Sequence, residues 1–149
     1  MGQPLADFFS DNEKTAFANR NIELGTVVKI YDRIANKEKW HLIVGVSNDE
    51  IMMASVRINS ELNLNCIPEA FRRYHYFITK KDNAFLEHDS YVDCSKLIIR
   101  KKKDFVNCVA KNSMALKGKM EENKLNHIRA TIADCRVIEP KFKKQFCLQ

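Results

Sequence analysis

His41 is the side chain whose type alone best suits proton transfer. It stands in the run Trp40-His41-Leu42-Ile43-Val44. An imidazole titrates near neutrality, so it can act as acid or base at physiological pH. Two arginines could stabilise developing negative charge. Arg57 alternates with apolar Val56 and Ile58, and Arg33 sits in a polar stretch that could fold over a site.

Metal chemistry finds little support. The five cysteines, Cys66, Cys94, Cys108, Cys135 and Cys147, include no C-x-x-C pair. Their spacing with His41, His75, His88 and His127 matches no compact zinc module. No metal and no cofactor is therefore expected. Met1-Gly2-Gln3-Pro4-Leu5-Ala6-Asp7 has neither the basic start nor the apolar core of a signal peptide. No apolar run approaches the roughly 20 residues that cross a bilayer. A cytoplasmic protein with reduced thiols and no membrane partner is the expectation.

The net charge of +6 is unevenly distributed. Residues 1–95 carry 11 Lys+Arg against 14 Asp+Glu, a net of −3; residues 96–149 carry 14 against 5, a net of +9. The densest run is Arg100-Lys101-Lys102-Lys103. Such a segment suits a polyanion, because each neutralised phosphate releases counterions; a solvated lysine-rich surface is the plain alternative. Trp40, Tyr74 and Tyr76 could stack on unpaired bases, whereas Phe77 reads as core.

These side chains need a scaffold, and the patterning predicts a single domain over 1–149, mainly β with flanking helices. Leu5, Phe8 and Phe9, then Ala16-Phe17, predict an N-terminal helix within residues 1–21. Residues 22–100 hold several short β-rich runs: Thr26–Tyr31, Trp40–Val46, Ile51–Ile58, Tyr74–Ile78, Ser90–Cys94 and Lys96–Ile99. No crossover helix separates them, which favours a small antiparallel barrel over a parallel sheet. Residues 101–149 form a basic C-terminal segment. Within it Leu125, Ile128, Ile132 and Cys135 mark an amphipathic helix over 121–135, expected to pack on the barrel. A short strand is possible at Arg136-Val137-Ile138.

The order of these pieces resembles the MazF/PemK family of toxin endoribonucleases, whose fold is an SH3-like barrel. Three stretches over roughly residues 22–100 carry the likeness. Gly25-Thr26-Val27-Val28 is similar to the family's opening strand. Lys39-Trp40-His41-Leu42-Ile43-Val44-Gly45-Val46-Ser47 is similar to its second strand, with Trp40-His41 in place of Arg-Pro. Ser90-Tyr91-Val92-Asp93-Cys94-Ser95-Lys96-Leu97 is similar to its late acidic segment, with Cys94 in place of Gln.

The resemblance implies metal-independent cleavage of single-stranded RNA, restraint by a small acidic antitoxin, and a homodimer. It puts Asp93 at the family's acidic position and Ser60 at its loop hydroxyl, beside Arg57, Arg33 and the non-family His41 as candidate catalytic residues. Lys39, Trp40, Asn59, Lys101, Lys102 and Lys103 become candidate RNA contacts. The other reading is a non-catalytic nucleic-acid- or protein-binding module on the same fold.

Overall fold

Ser10 opens the first helix, α1 (Asp11–Asn21), by accepting a hydrogen bond from the Glu13 amide. This is a computed structural model, and it describes residues 9–149. Leu5 and Phe8 of the expected N-terminal helix lie outside that range.

The β-branched runs become three long antiparallel strands: β1 (Thr26–Asp32), β2 (Lys37–Val46) and β3 (Met52–Asn59). A tight turn joins β1 to β2, with Asn36 at φ 55°, a left-handed conformation that Asn tolerates better than most residues. After the short helix α2 (Glu69–Arg72) come β4 (His75–Ile78), β5 (Ser90–Asp93) and β6 (Ile98–Lys101). A seventh strand, β7 (Leu116–Lys119), pairs with β1. The sheet runs β4-β5-β3-β2-β1-β7, and β6 also pairs with β3. β3 changes partner along its length, from β6 at Met52–Ser55 to β5 at Ile58–Asn59.

The result is a mainly antiparallel seven-stranded sheet with several helices, as the patterning predicts. No ladder joins its outer strands β4 and β7, so strand pairing does not close it into a barrel. Phe85, from the β4–β5 connection, reaches across to β7 instead. It packs so closely on Gly118 that a Cβ there would lie 2.6 Å from the Phe85 Cβ.

Helices cover both faces, which is why β2 reads as continuous Leu42-Ile43-Val44 rather than as an alternating strand. One face buries Leu42, Val44, Val56 and Val92 against Leu125, Ile128 and Ile132 of α4 (Glu122–Asp134), as expected of that stripe. The other buries Val28, Ile43 and Met53 against α1 and Phe105, Val106 and Val109 of α3 (Lys102–Lys111).

The basic segment is therefore more built than its charge suggests. It supplies α3, β7, α4 and a last short helix, α5 (Pro140–Gln145). Residues 136–138 form a turn rather than a strand. Phe77, read as core, is 51% exposed and packs on Tyr91 with ring centroids 5.2 Å apart. It lies on the short outer strand β4, whose only ladder partner among the described residues is β5.

Candidate functional site

Asp32 ends β1 and is buried, yet its carboxylate is well supplied with donors. Arg57 donates from both Nε and Nη2, the second at 3.0 Å. The amides of Ile34 and Ala35, in the turn, donate at 3.0 Å. His41 Nε2 lies 3.1 Å away. A buried carboxylate without such partners would be costly. Here the Arg57 guanidinium holds it well below the usual carboxylate range, against the opposing effect of burial.

His41 stands opposite Arg57 in the β2–β3 ladder and shares its face of the sheet. Its Nδ1 lies 3.0 Å from Ser55 Oγ, and Ser55 in turn donates to the Ile98 carbonyl of β6 at 3.1 Å. Burial, and next the Arg100 charge, push the imidazole down to about 4. His41 is thus neutral at pH 7, donating from Nε2 to Asp32, and the single Ser55 proton serves two acceptors. The ring is 0% exposed, so the expectation that His41 exchanges protons with a substrate is corrected: it is a buried structural member of the network.

Cations crowd this end of the sheet. The Arg57 side chain is 14% exposed, and Asp32 engages only one edge of its guanidinium. Lys39, half-buried, has its ammonium pushed down by burial and then by the charges of Lys37 and Arg57. Arg100 donates to the Tyr31 carbonyl, while its buried Nε has no acceptor among the described residues. Arg33 lies exposed in the β1–β2 turn, and its charge reaches Arg100.

At the same end of the sheet lies a cleft of about 210 Å³ that gathers Lys37, Lys39, Trp40, Ser60, His88 and Ser90 together with Glu38 and Glu87; Arg57 does not line it. Lys39, Trp40 and Ser60, singled out separately in the sequence, meet here. Lys117 places its ammonium 5.4 Å from the centroid of the Trp40 ring. Asn59 pairs with Tyr91 one residue before Ser60.

Asp93 is elsewhere. Its Oδ1 accepts from the Ser95 amide and hydroxyl and lies 3.5 Å from His75 Nε2. It lines a different pocket, of about 370 Å³, with Cys66, His75 and Lys96. Asp93 and Arg57 flank the paired Ile58 and Val92, yet no ion pair joins them among the described residues. Lys101 ends β6, and Lys102 and Lys103 open α3, where the Lys102 amide donates to Ile51.

Sequence reasoning missed Asp32, Ser55 and Lys37; it placed Arg100 only in the basic run and weighed His88 only as a metal ligand. Polar Asp32 and Ser55 in apolar runs were a signal, but only the strand register shows that they converge. Among the described residues no group of three or more His, Cys, Asp or Glu could hold a metal ion. All five cysteines are free, and burial pushes the Cys94 thiol up to about 12. No helix among the described residues is long and apolar enough to cross a membrane. No protein-family model matches the chain, and no curated protein matches its sequence.

Proposed function

We propose that this chain is a toxin-type endoribonuclease on an SH3-like fold, binding single-stranded RNA in the Lys39–Trp40–Ser60 cleft. One observation carries the reading: Lys37, Lys39, Trp40, Ser60 and His88 line one cleft, where Glu38 and Glu87 balance only part of what a phosphodiester would meet. The ammonium groups suit a phosphodiester, and the Trp40 face suits a base.

In metal-independent cleavage the 2′-oxygen attacks phosphorus and the 5′-oxygen leaves. A base takes the 2′-hydroxyl proton and an acid protonates the departing oxygen. The products are a 2′,3′-cyclic phosphate and a 5′-hydroxyl. His88 is the cleft's imidazole and takes the acid–base role that buried His41 cannot fill. Lys39 stabilises the phosphorane charge. A small acidic antitoxin is the partner this reading implies.

The second reading, an RNA-binding module without chemistry, is favoured by the burial of His41 and the commitment of Arg57 to Asp32. Incubation of the purified protein with mixed single-stranded RNA in EDTA, with end mapping, separates the two. Cyclic-phosphate ends support the nuclease; RNA retained but uncut supports the module; RNA neither cut nor bound overturns both.

A further inference from the structure

Five groups form one continuous hydrogen-bonded line: Ile98 carbonyl, Ser55 hydroxyl, His41 imidazole, Asp32 carboxylate and Arg57 guanidinium. It joins β6, β3, β2 and β1 and returns to β3. We infer that Asp32, His41 and Ser55 are positioning residues that hold Arg57 as the fixed cation of a phosphodiester-binding site beside Lys39. The inference rests on the RNA reading for the identity of the anion, but the positioning itself does not.

Three observations support it. An arginine on an open strand face has several rotatable bonds and loses side-chain entropy when it orders on a ligand. Arg57 is already held by two bonds from a single carboxylate, the planar fork that fixes a guanidinium best. The carboxylate is itself fixed, by two turn amides and by His41. Second, Lys39 stands two residues before His41 on β2, so it shares the strand face of Arg57, whose charge lowers its ammonium. Asp32 and Asp104 are carboxylates whose charges reach this region, and Asp32 is already committed to Arg57. A phosphodiester between Arg57 and Lys39 would meet both cations. Third, Arg57 retains an exposed portion while Asp32, His41 and Ser55 have almost none. Among the four side chains of the line, the cation is therefore the one with surface left to meet a ligand.

The test pairs binding with a direct view of Arg57. A fluorescein-labelled, fully 2′-O-methylated uridine dodecamer cannot be cut through its 2′-oxygens, so its anisotropy reports affinity alone. Arg57→Ala should weaken binding about tenfold or more, the loss of one charge-assisted hydrogen bond. Ser55→Ala and His41→Asn should weaken it by smaller factors, and Ser55→Ala should add nothing in the Arg57→Ala background. In the 1H–15N spectrum the Arg57 Nε–H signal should be protected from solvent exchange in the wild type. It should shift or broaden in His41→Asn and in Ser55→Ala, and circular dichroism identifies any variant that has unfolded. An unmoved Arg57 signal in folded variants overturns the inference, as does an equal affinity loss from Ser55→Ala with and without Arg57. If the wild type fails to bind the dodecamer while the Arg57 signal still responds, the RNA reading fails and the positioning role stands.

Discussion

Asp32 stays ionised in a buried setting because Arg57 outweighs its desolvation, and His41 stays neutral there because burial and Arg100 outweigh Asp32. Both shifts have the same consequence for stability. Each group's folded pKa lies below its unfolded value, so on acidification the unfolded chain binds its proton first. Stability should be flat between about pH 7 and 8, should fall above about pH 9 as the unfolded Cys94 thiol ionises, and should fall as pH drops from 6.5 towards about 4, the His41 window. Asp32 extends the fall below 3.8. His41 alone accounts for roughly 3 kcal/mol at most across its window. Urea midpoints measured against pH should show this slope, and His41→Asn should flatten it between pH 6.5 and 4. A slope unchanged in that variant would assign it to other groups. At the cleft, His88→Ala should lower RNA cleavage by about 10²-fold, the lower end for acid–base catalysis. Asp93→Asn, in a separate pocket, should leave most of it. The reverse ranking in a timed cleavage assay would move the chemistry to the Asp93 pocket. The sequence identified His41 and Arg57 as unusual but misjudged the depth of His41. An imidazole at a strand start looks identical whether it faces solvent or the interior, and only the register that sets Asp32, Ser55 and Arg100 around it decides.

Helix α3 shows how charge can hide an element. Lys102 and Lys103 occupy its first turn, at the positive end of the helix dipole, with no side-chain cap at Lys101. Those lysines made the run read as a basic tail, although Phe105, Val106 and Val109 supply a buried face. The stripe of α4 was legible because its four apolar residues repeat over three turns. β7, only Leu-Lys-Gly-Lys, carries no pattern of its own and is a strand because β1 offers it an edge. An arrangement that opposes the dipole invites a test. Lys102→Glu with Lys103→Glu should stabilise the fold by a few tenths of a kcal/mol. If the run contacts RNA, the same change should weaken binding and flatten the salt slope, by roughly 0.7 per lost contact for single strands. Thermal melts and salt titrations of binding should move in opposite directions. Unchanged affinity would leave the run as a solvated helix start.

At the scale of the molecule, a sheet whose outer strands do not pair must be held by what packs on its faces. The C-terminal segment does much of that work on the α4 side. Arg129 donates to the Val44 carbonyl at 3.0 Å and to the Cys147 carbonyl at 2.8 Å. Lys143 donates to the carbonyls of Ala133 and Cys135, in and just after the last turn of α4. Phe146 and Leu148 are buried in the same core as Leu42 and Val92. The fit is closest at Gly45, beside an irregularity in the β2–β3 ladder. A Cβ added there would come within 2.7 Å of the Phe146 Cβ and 3.0 Å of its carbonyl oxygen. Phe146→Ala should therefore cost about 3–5 kcal/mol, the usual range for losing a buried phenylalanine. Gly45→Ala should cost about 1–3 kcal/mol through overpacking. The pair should be close to additive, because the Phe146 Cβ and carbonyl that set the limit at Gly45 both remain in Phe146→Ala, while the ring's nearest atom lies 3.5 Å away. Denaturant unfolding of the two single variants and the double variant closes the cycle. A clear rescue of Gly45→Ala by Phe146→Ala would mean that the ring, rather than the Cβ and backbone, sets the limit.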